Sequence, residues 1–168
     1  MPIVIEPGLN LCGIIAKKNI TMKENIIIRP AQTKDFTQIM SLLPQLWPKR
    51  KLNPAAIKKV FNKQLKIPNT HYLHVAEHNK KVVGFISFSW RLNIYSEGLI
   101  GRIEELIIDK KYRNKGIGGK MVKDVIAICK KKKINYLYLT SAFRRKEAHK
   151  FYENLGFEKS GFELEKIF

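Results

Sequence analysis

The stretch that most constrains this chain runs from Arg102 to Val122, RIEELIIDKKYRNKGIGGKMV. Leu106-Ile107-Ile108 is a β-branched apolar run of the kind found in a buried strand, and the charged Asp109-Lys110-Lys111 ends it. Arg113-Asn114-Lys115-Gly116-Ile117-Gly118-Gly119 follows, and then a helical pattern. A strand feeding a glycine-rich turn that opens a helix is a phosphate-binding arrangement. Backbone N–H groups face the anion, the helix dipole favours negative charge, and glycine lets the anion approach the backbone. A Walker A loop needs GxxxxGK followed by Ser or Thr, and no window supplies it. The dinucleotide fingerprint GxGxxG would need its third glycine at Met121, so it fails too.

Around this stretch the chain reads as regular alternation of short strands and helices. Ile26-Ile27-Ile28-Arg29-Pro30 is a strand ended by proline, and Thr33 is an N-cap candidate for a helix carrying Phe36, Ile39, Met40 and Leu43 as far as Pro44. Asn53-Pro54 caps a second helix with Ile57, Val60, Phe61 and Leu65 on one face. Tyr72 to Glu77 and Val82 to Arg91 form a hairpin joined at Asn79-Lys80, and 92–98 is a loop before the central strand. The helix from Gly116 to Lys130 turns Ile117, Met121, Val125, Ile128 and Cys129 inward and ends in a run of lysines, which suits a helix C-terminus. Tyr136 to Thr140 is a strand, Lys146 to Asn154 a short helix stopped by Gly156, and Phe157 to Phe168 a final strand or strand pair. The fold class is mixed α/β, one mostly antiparallel twisted sheet with helices on both faces.

Arg-x-x-Gly-x-Gly placed directly after a strand that carries Glu104-Glu105 resembles the pyrophosphate loop of the GNAT superfamily of acetyl-CoA-dependent N-acetyltransferases. A second motif lies some thirty residues on. LTSAFRRKEAHKFYENLGF is similar to the superfamily's later helix, with Ala148, Phe151, Tyr152, Leu155, Gly156 and Phe157 in the matching places. The resemblance covers 25–168. It implies acetyl-CoA as donor, and backbone groups beside Leu106, Ile107 and Ile108 that hold the pantetheine arm and the acetyl carbonyl. It also implies that Arg113, Asn114, Lys115, Gly116, Ile117, Gly118 and Gly119 wrap the pyrophosphate, and that Tyr152 is the acid at the sulfur.

Acetyl transfer to an amine needs a group that collects the amine's proton, and a carboxylate serves, directly or through water. Glu104 stands at the position that the resemblance gives to the base. Glu104 and Glu105 are neighbours on a strand, so they face opposite sides unless a bulge intervenes. Glu105 or a water chain as the base, or a Glu104 that only positions the substrate or pairs with a nearby cation, remains open. Two positions depart from the family pattern. Arg145 stands where an asparagine often contacts the coenzyme. Thr140 stands where members that acetylate ribosomal-protein N-termini are usually acidic.

The net charge of +18 attracts polyanions and says nothing about fold. It keeps a nucleic-acid-binding module in view, although no aromatic-interleaved basic motif or recognition helix accompanies it. A silent acyl-CoA-binding protein on the same fold is the other alternative. The positive field favours an amine or peptide acceptor that carries an anion over a polyamine, with a pocket expected from the Trp47 and Tyr95 loops and the last strands. Cys12 and Cys129 are far apart, so neither a disulfide framework nor a zinc site is indicated, and His71, His74 and His78 lack ligand spacing. No metal is expected, no run is long enough to span a membrane, and a cytoplasmic monomer or homodimer is the default. Residues 1–24 read as an extension. Its first 21 residues, apolar in short bursts without a basic start, are either an appended segment or an extra strand, and Met22 makes an ordinary start of its own.

Overall fold

The strands pair in the order in which the chain makes them. The computed structural model describes residues 25–161 and 163–167. It contains β1 (Ile27–Pro30), α1 (Phe36–Leu46), α2 (Pro54–Gln64), β2 (His71–His78), β3 (Lys81–Asn93), β4 (Gly98–Ile108), α3 (Ile117–Lys132), β5 (Ile134–Leu139) and α4 (Lys146–Glu153). The five strands make one sheet in the order β1-β2-β3-β4-β5. All pairs are antiparallel except β4 and β5, which run parallel because α3 carries the chain back between them. The expected extension over residues 1–24 lies outside the described residues.

Both faces of β3 are covered, which fixes its register. Ile86 and Phe88 join Ile103, Met121, Val122 and Val125 under α3. Phe85 joins Val75, Ile107, Ile39, Leu42 and Phe61 under α1 and α2. Burying a side chain of this size contributes about 1.5–3 kcal/mol relative to leaving it exposed. The β2–β3 turn has positive φ at both Asn79 (49°) and Lys80 (63°), the geometry of a two-residue hairpin. Asn53 caps α2 as its sequence suggests, its side chain accepting from the Ala56 N–H at 3.1 Å with Pro54 in the first turn.

Three expectations need correction. Thr33 opens a short 3-10 turn, Thr33–Asp35, and does not cap α1. The organising side chain there is Asp35, buried at 1% exposure, which accepts from Gln32 N at 2.8 Å and takes both ends of the Arg29 guanidinium at 2.7 and 2.9 Å. Pro44 does not end α1, which continues to Leu46. Leu42 and Leu43 are buried against the sheet, and the Gln45 side chain accepts from Lys110 N at 2.9 Å, so tertiary contacts hold the turn that proline weakens. No strand forms over 157–161 or 163–167. Leu164 and Ile167 are more than nine-tenths exposed, so no buried face selects a register, and ion pairs hold the segment at Glu153–Lys159 (2.8 Å) and Arg102–Glu163 (3.1 Å).

Candidate active site

The β3–β4 ladder slips once. Ser87 pairs with Glu105 but Phe88 pairs with Ile103, so Glu104 is the extra residue of a β-bulge. Glu105 faces Ser87 and hydrogen-bonds to its side chain. Glu104 accepts from the Ser89 hydroxyl at 2.7 Å. Ser87 and Ser89 lie two apart on β3 and share a face, so the bulge brings both carboxylates to the side of the sheet covered by α1 and α2. Burial pushes the Glu105 carboxyl above its ordinary value, the Ser87 bond partly offsets this, and the charge of Glu104 adds to it.

Glu104 lines a cavity of about 480 Å³ together with Thr70, His71, Ser89, Trp90, Arg91, Ile100, Arg102 and Tyr138. Arg102 is its central cation. Its Nε lies 3.1 Å from Glu104 Oε2, its Nη2 donates to Glu163 Oε1 at 3.1 Å and to Thr140 Oγ1 at 3.3 Å, and its guanidinium sits 5.6 Å from the Tyr138 ring centre. Trp47 and Tyr95, from the loops expected to build the acceptor pocket, do not line this cavity. Tyr95 stands exposed near the tip of the β3–β4 hairpin against Tyr136, and Trp47 ends α1 beneath the Arg50 guanidinium.

β5 pairs with β4 only as far as Ile103, opposite Leu139, so among the described residues Glu104–Ile108 has no strand partner on that side. Within this stretch Leu106 and Ile108 pack toward α3, and Ile107 toward α1 and α2. The chain then turns back. Arg113 Nε donates to the Ile108 carbonyl at 3.0 Å, Lys115 Nζ sits 5.1 Å over the Tyr112 ring, and Asn114 (φ 61°) and Gly116 (φ 76°) take the left-handed conformation. α3 starts without a side-chain cap, and its first i→i−4 bond is Lys120 N to Gly116 O, so the N–H groups of Ile117, Gly118 and Gly119 precede the ladder. A Cβ built on Gly116 or Gly119 would meet nothing within 4 Å, and one on Gly118 would lie 3.4 Å from Phe151 and 3.6 Å from Ile108. Uncapped N–H groups at an open turn fit a pyrophosphate.

Tyr152 is on α4, packed between Phe151 (5.0 Å) and Phe157 (5.6 Å) on the α3 side of the sheet. Burial pushes its phenol up to about 12, with Arg145 opposing, so it is a proton donor at neutral pH. The structure therefore does not gather all the expected groups on one face. The two glutamates lie on the side covered by α1 and α2 and the tyrosine on the α3 side. Arg145 begins α4 and donates to the Leu46 carbonyl at the end of α1. His74 is stacked on Tyr72 at 3.6 Å, and burial lowers it to about 4. Among the described residues no group of three or more His, Cys, Asp or Glu side chains could hold a metal ion, and no helix is long and apolar enough to cross a membrane.

Residues 36–157 match the acetyltransferase (GNAT) family. The chain belongs to this family. Over 139 residues, 83% of this chain and 89% of the relative, it is 29% identical to aminoalkylphosphonate N-acetyltransferase of Salmonella typhimurium. Its fold superposes on a transcriptional regulator from Bacillus halodurans with a TM-score of 0.76 at 24% identity, covering 85% of this chain and 99% of that one. Glucosamine-6-phosphate N-acetyltransferase from Arabidopsis thaliana gives a TM-score of 0.73 at 23% identity, over 86% and 99%. These two likenesses establish the fold. The protein is an N-acetyltransferase that transfers acetyl to an amine, and members of its family use acetyl-CoA as donor.

For this acetyltransferase, sequence reasoning missed the residues that furnish the cavity. Ser87 and Ser89 were the available signal, two hydroxyls with the same parity in an otherwise apolar VVGFISFSW. Arg102, two residues before Glu104, carries no motif of its own in the sequence. Its distant partners, Thr140 and Glu163, leave no local trace.

Proposed function

We propose that this acetyltransferase moves the acetyl group of acetyl-CoA directly to the primary amine of a small acceptor that also carries an oxyanion. The observation that carries the reading is the bulge. It sets two carboxylates on one face, one of them in the cavity wall, at the point where β4 loses its strand partner. The coenzyme supplies an acetyl group activated as a thioester. The unpaired stretch Glu104–Ile108 offers backbone N–H groups to its arm and to the carbonyl oxygen, where negative charge develops. The turn Arg113–Gly119 holds the pyrophosphate through uncapped N–H groups and the positive end of α3.

Glu104 meets the acceptor's ammonium and takes its proton, directly or through one water, while half-buried Glu105 reinforces the negative field behind it. Tyr152 approaches from the α3 side of the sheet and gives a hydrogen bond or proton to the departing sulfur. The acceptor class follows from the cavity's own charges, with Arg91 and Arg102 beside the one glutamate of its lining. An aminoalkylphosphonate, the class that names the Salmonella relative, has an amine at one end and an oxyanion at the other and matches that arrangement.

The test is free-thiol release from acetyl-CoA over a panel of amines. Short anionic amines should turn over best and spermidine poorly. Glu104→Gln should lose activity at neutral pH and regain part of it at high pH, where the free amine is abundant. Coenzyme binding without thiol release from any amine would defeat the reading, and an unchanged pH profile in Glu104→Gln would remove its role as base.

A further inference from the structure

Arg102 is held unequally on its two sides. Toward the bulge, its Nε is 3.1 Å from Glu104 Oε2 but makes no aligned hydrogen bond, so that contact is one of charge. On the other side, Nη2 donates to Glu163 Oε1 at 3.1 Å. Glu163 comes from the C-terminal segment, 61 residues along the chain, in a stretch without helix or strand. Both side chains of this pair are partly open to solvent, at 33% and 39%. A carboxylate from an irregular segment thus rests on the guanidinium in the wall of the acceptor cavity. Its neighbours Leu164 and Ile167 are exposed, so little apolar burial holds the segment there.

We propose that Arg102 is the receptor for the acceptor's oxyanion, and that the Glu163 carboxylate is an internal stand-in that an anionic acceptor displaces. This rests on the reading that Glu104 meets the amine. The charges then alternate as carboxylate, guanidinium, carboxylate across Glu104, Arg102 and Glu163. An acceptor with its ammonium on Glu104 and its oxyanion on Arg102 continues the same alternation and frees Glu163 to solvent. The guanidinium fork suits phosphonate or carboxylate oxygens, and the Tyr138 face keeps it oriented. A partly solvated ion pair exchanges readily. Because Arg102 and Glu104 are in contact, the acceptor's amine and oxyanion must be close, as in a one- or two-carbon aminoalkylphosphonate.

Two probes of similar reach test this on the full chain, 2-aminoethylphosphonate and uncharged-tail propylamine. Thiol release gives kcat/KM for each, and calorimetry gives phosphonate binding independently of turnover. Glu163→Gln should lower KM for the phosphonate by up to about fivefold, the scale of an exposed ion pair, and leave propylamine unaffected. Arg102→Gln should reduce the phosphonate-to-propylamine ratio of kcat/KM about 10–100-fold, the scale of a charge-assisted hydrogen bond. Arg102→Lys should restore part of the preference. It keeps the charge without the fork.

A phosphonate KM that Glu163→Gln leaves unchanged would overturn the stand-in. An unchanged ratio or calorimetric affinity in Arg102→Gln would overturn the receptor. The two readings separate cleanly. Phosphonate binding that depends on Arg102 without turnover of either probe keeps the receptor and removes the reading that Glu104 meets the amine of a short anionic acceptor. Turnover of both probes with no preference does the reverse.

Discussion

Glu105 is a carboxylate that folding draws away from water, which pushes its pKa above the ordinary value. A carboxyl whose pKa is raised in the folded state lowers stability once pH exceeds its unfolded value, because the unfolded chain ionises it more easily. Glu105→Gln should therefore melt at a higher temperature than the parent near pH 7, and the difference should vanish as pH falls below 4.5, the ordinary glutamate value, to where the carboxyl is protonated in both states. Each kcal/mol gained raises Tm by about 2–4 °C in a chain of this size. A scanning calorimeter at the two pH values reads the effect, and a Tm gain that does not vary with pH would count against it.

Tyr152→Phe removes one hydroxyl from a ring whose packing against Phe151 and Phe157 remains. Stopped-flow and steady-state kinetics should find kcat down about 10²–10⁴-fold, with coenzyme affinity nearly unchanged. Full kcat would reduce Tyr152 to packing. At this scale the sequence displayed both carboxylates but not their directions. Strand parity puts adjacent residues on opposite faces, and only the pairing with β3 reveals that Glu104 is the bulged one.

Among the elements, the β4–turn–α3 unit was legible in detail because its signals are local: an apolar run, charge at its end, glycine, then a helical period. β5 and the two early helices were legible for the same reason, within a residue or two. The segment after Gly156 was not. Apolar residues at Phe157, Leu164 and Ile167 resemble strand material, yet a strand needs a neighbour to pair with and a face to bury, and neither is written into a local window.

The turn itself makes a prediction. Gly116 has φ 76°, and a side chain there costs roughly 1–2 kcal/mol in backbone strain. A Cβ at this position points into open space in the free protein, so Gly116→Val should remain folded. Its branched side chain then competes with the phosphates. Isothermal calorimetry should show coenzyme affinity weakened at least about tenfold while the far-ultraviolet dichroism is retained. Equal affinity in the variant would move the pyrophosphate elsewhere.

For the whole molecule, the net +18 and the local charge of the cavity act at different ranges. The overall field is screened beyond ~8 Å at physiological ionic strength, whereas a contact at Arg102 is not. Raising salt should lower kcat/KM for an anionic acceptor and leave a neutral amine largely alone. A residual preference for the anion at high salt measures the contact by itself, and salt-independence for both classes would show that the global field has no part. The unpaired stretch of β4 has a further consequence, a colloidal one. The strand edge from Glu104 to Ile107, which β5 does not pair, is a template for any extended chain, including another copy of this one. Mutual repulsion between highly cationic molecules keeps such edges apart, and a coenzyme arm lying along the strand would mask them. Shelf life should then depend on ligand and ionic strength together, with coenzyme-free protein in concentrated salt the first to form light-scattering assemblies.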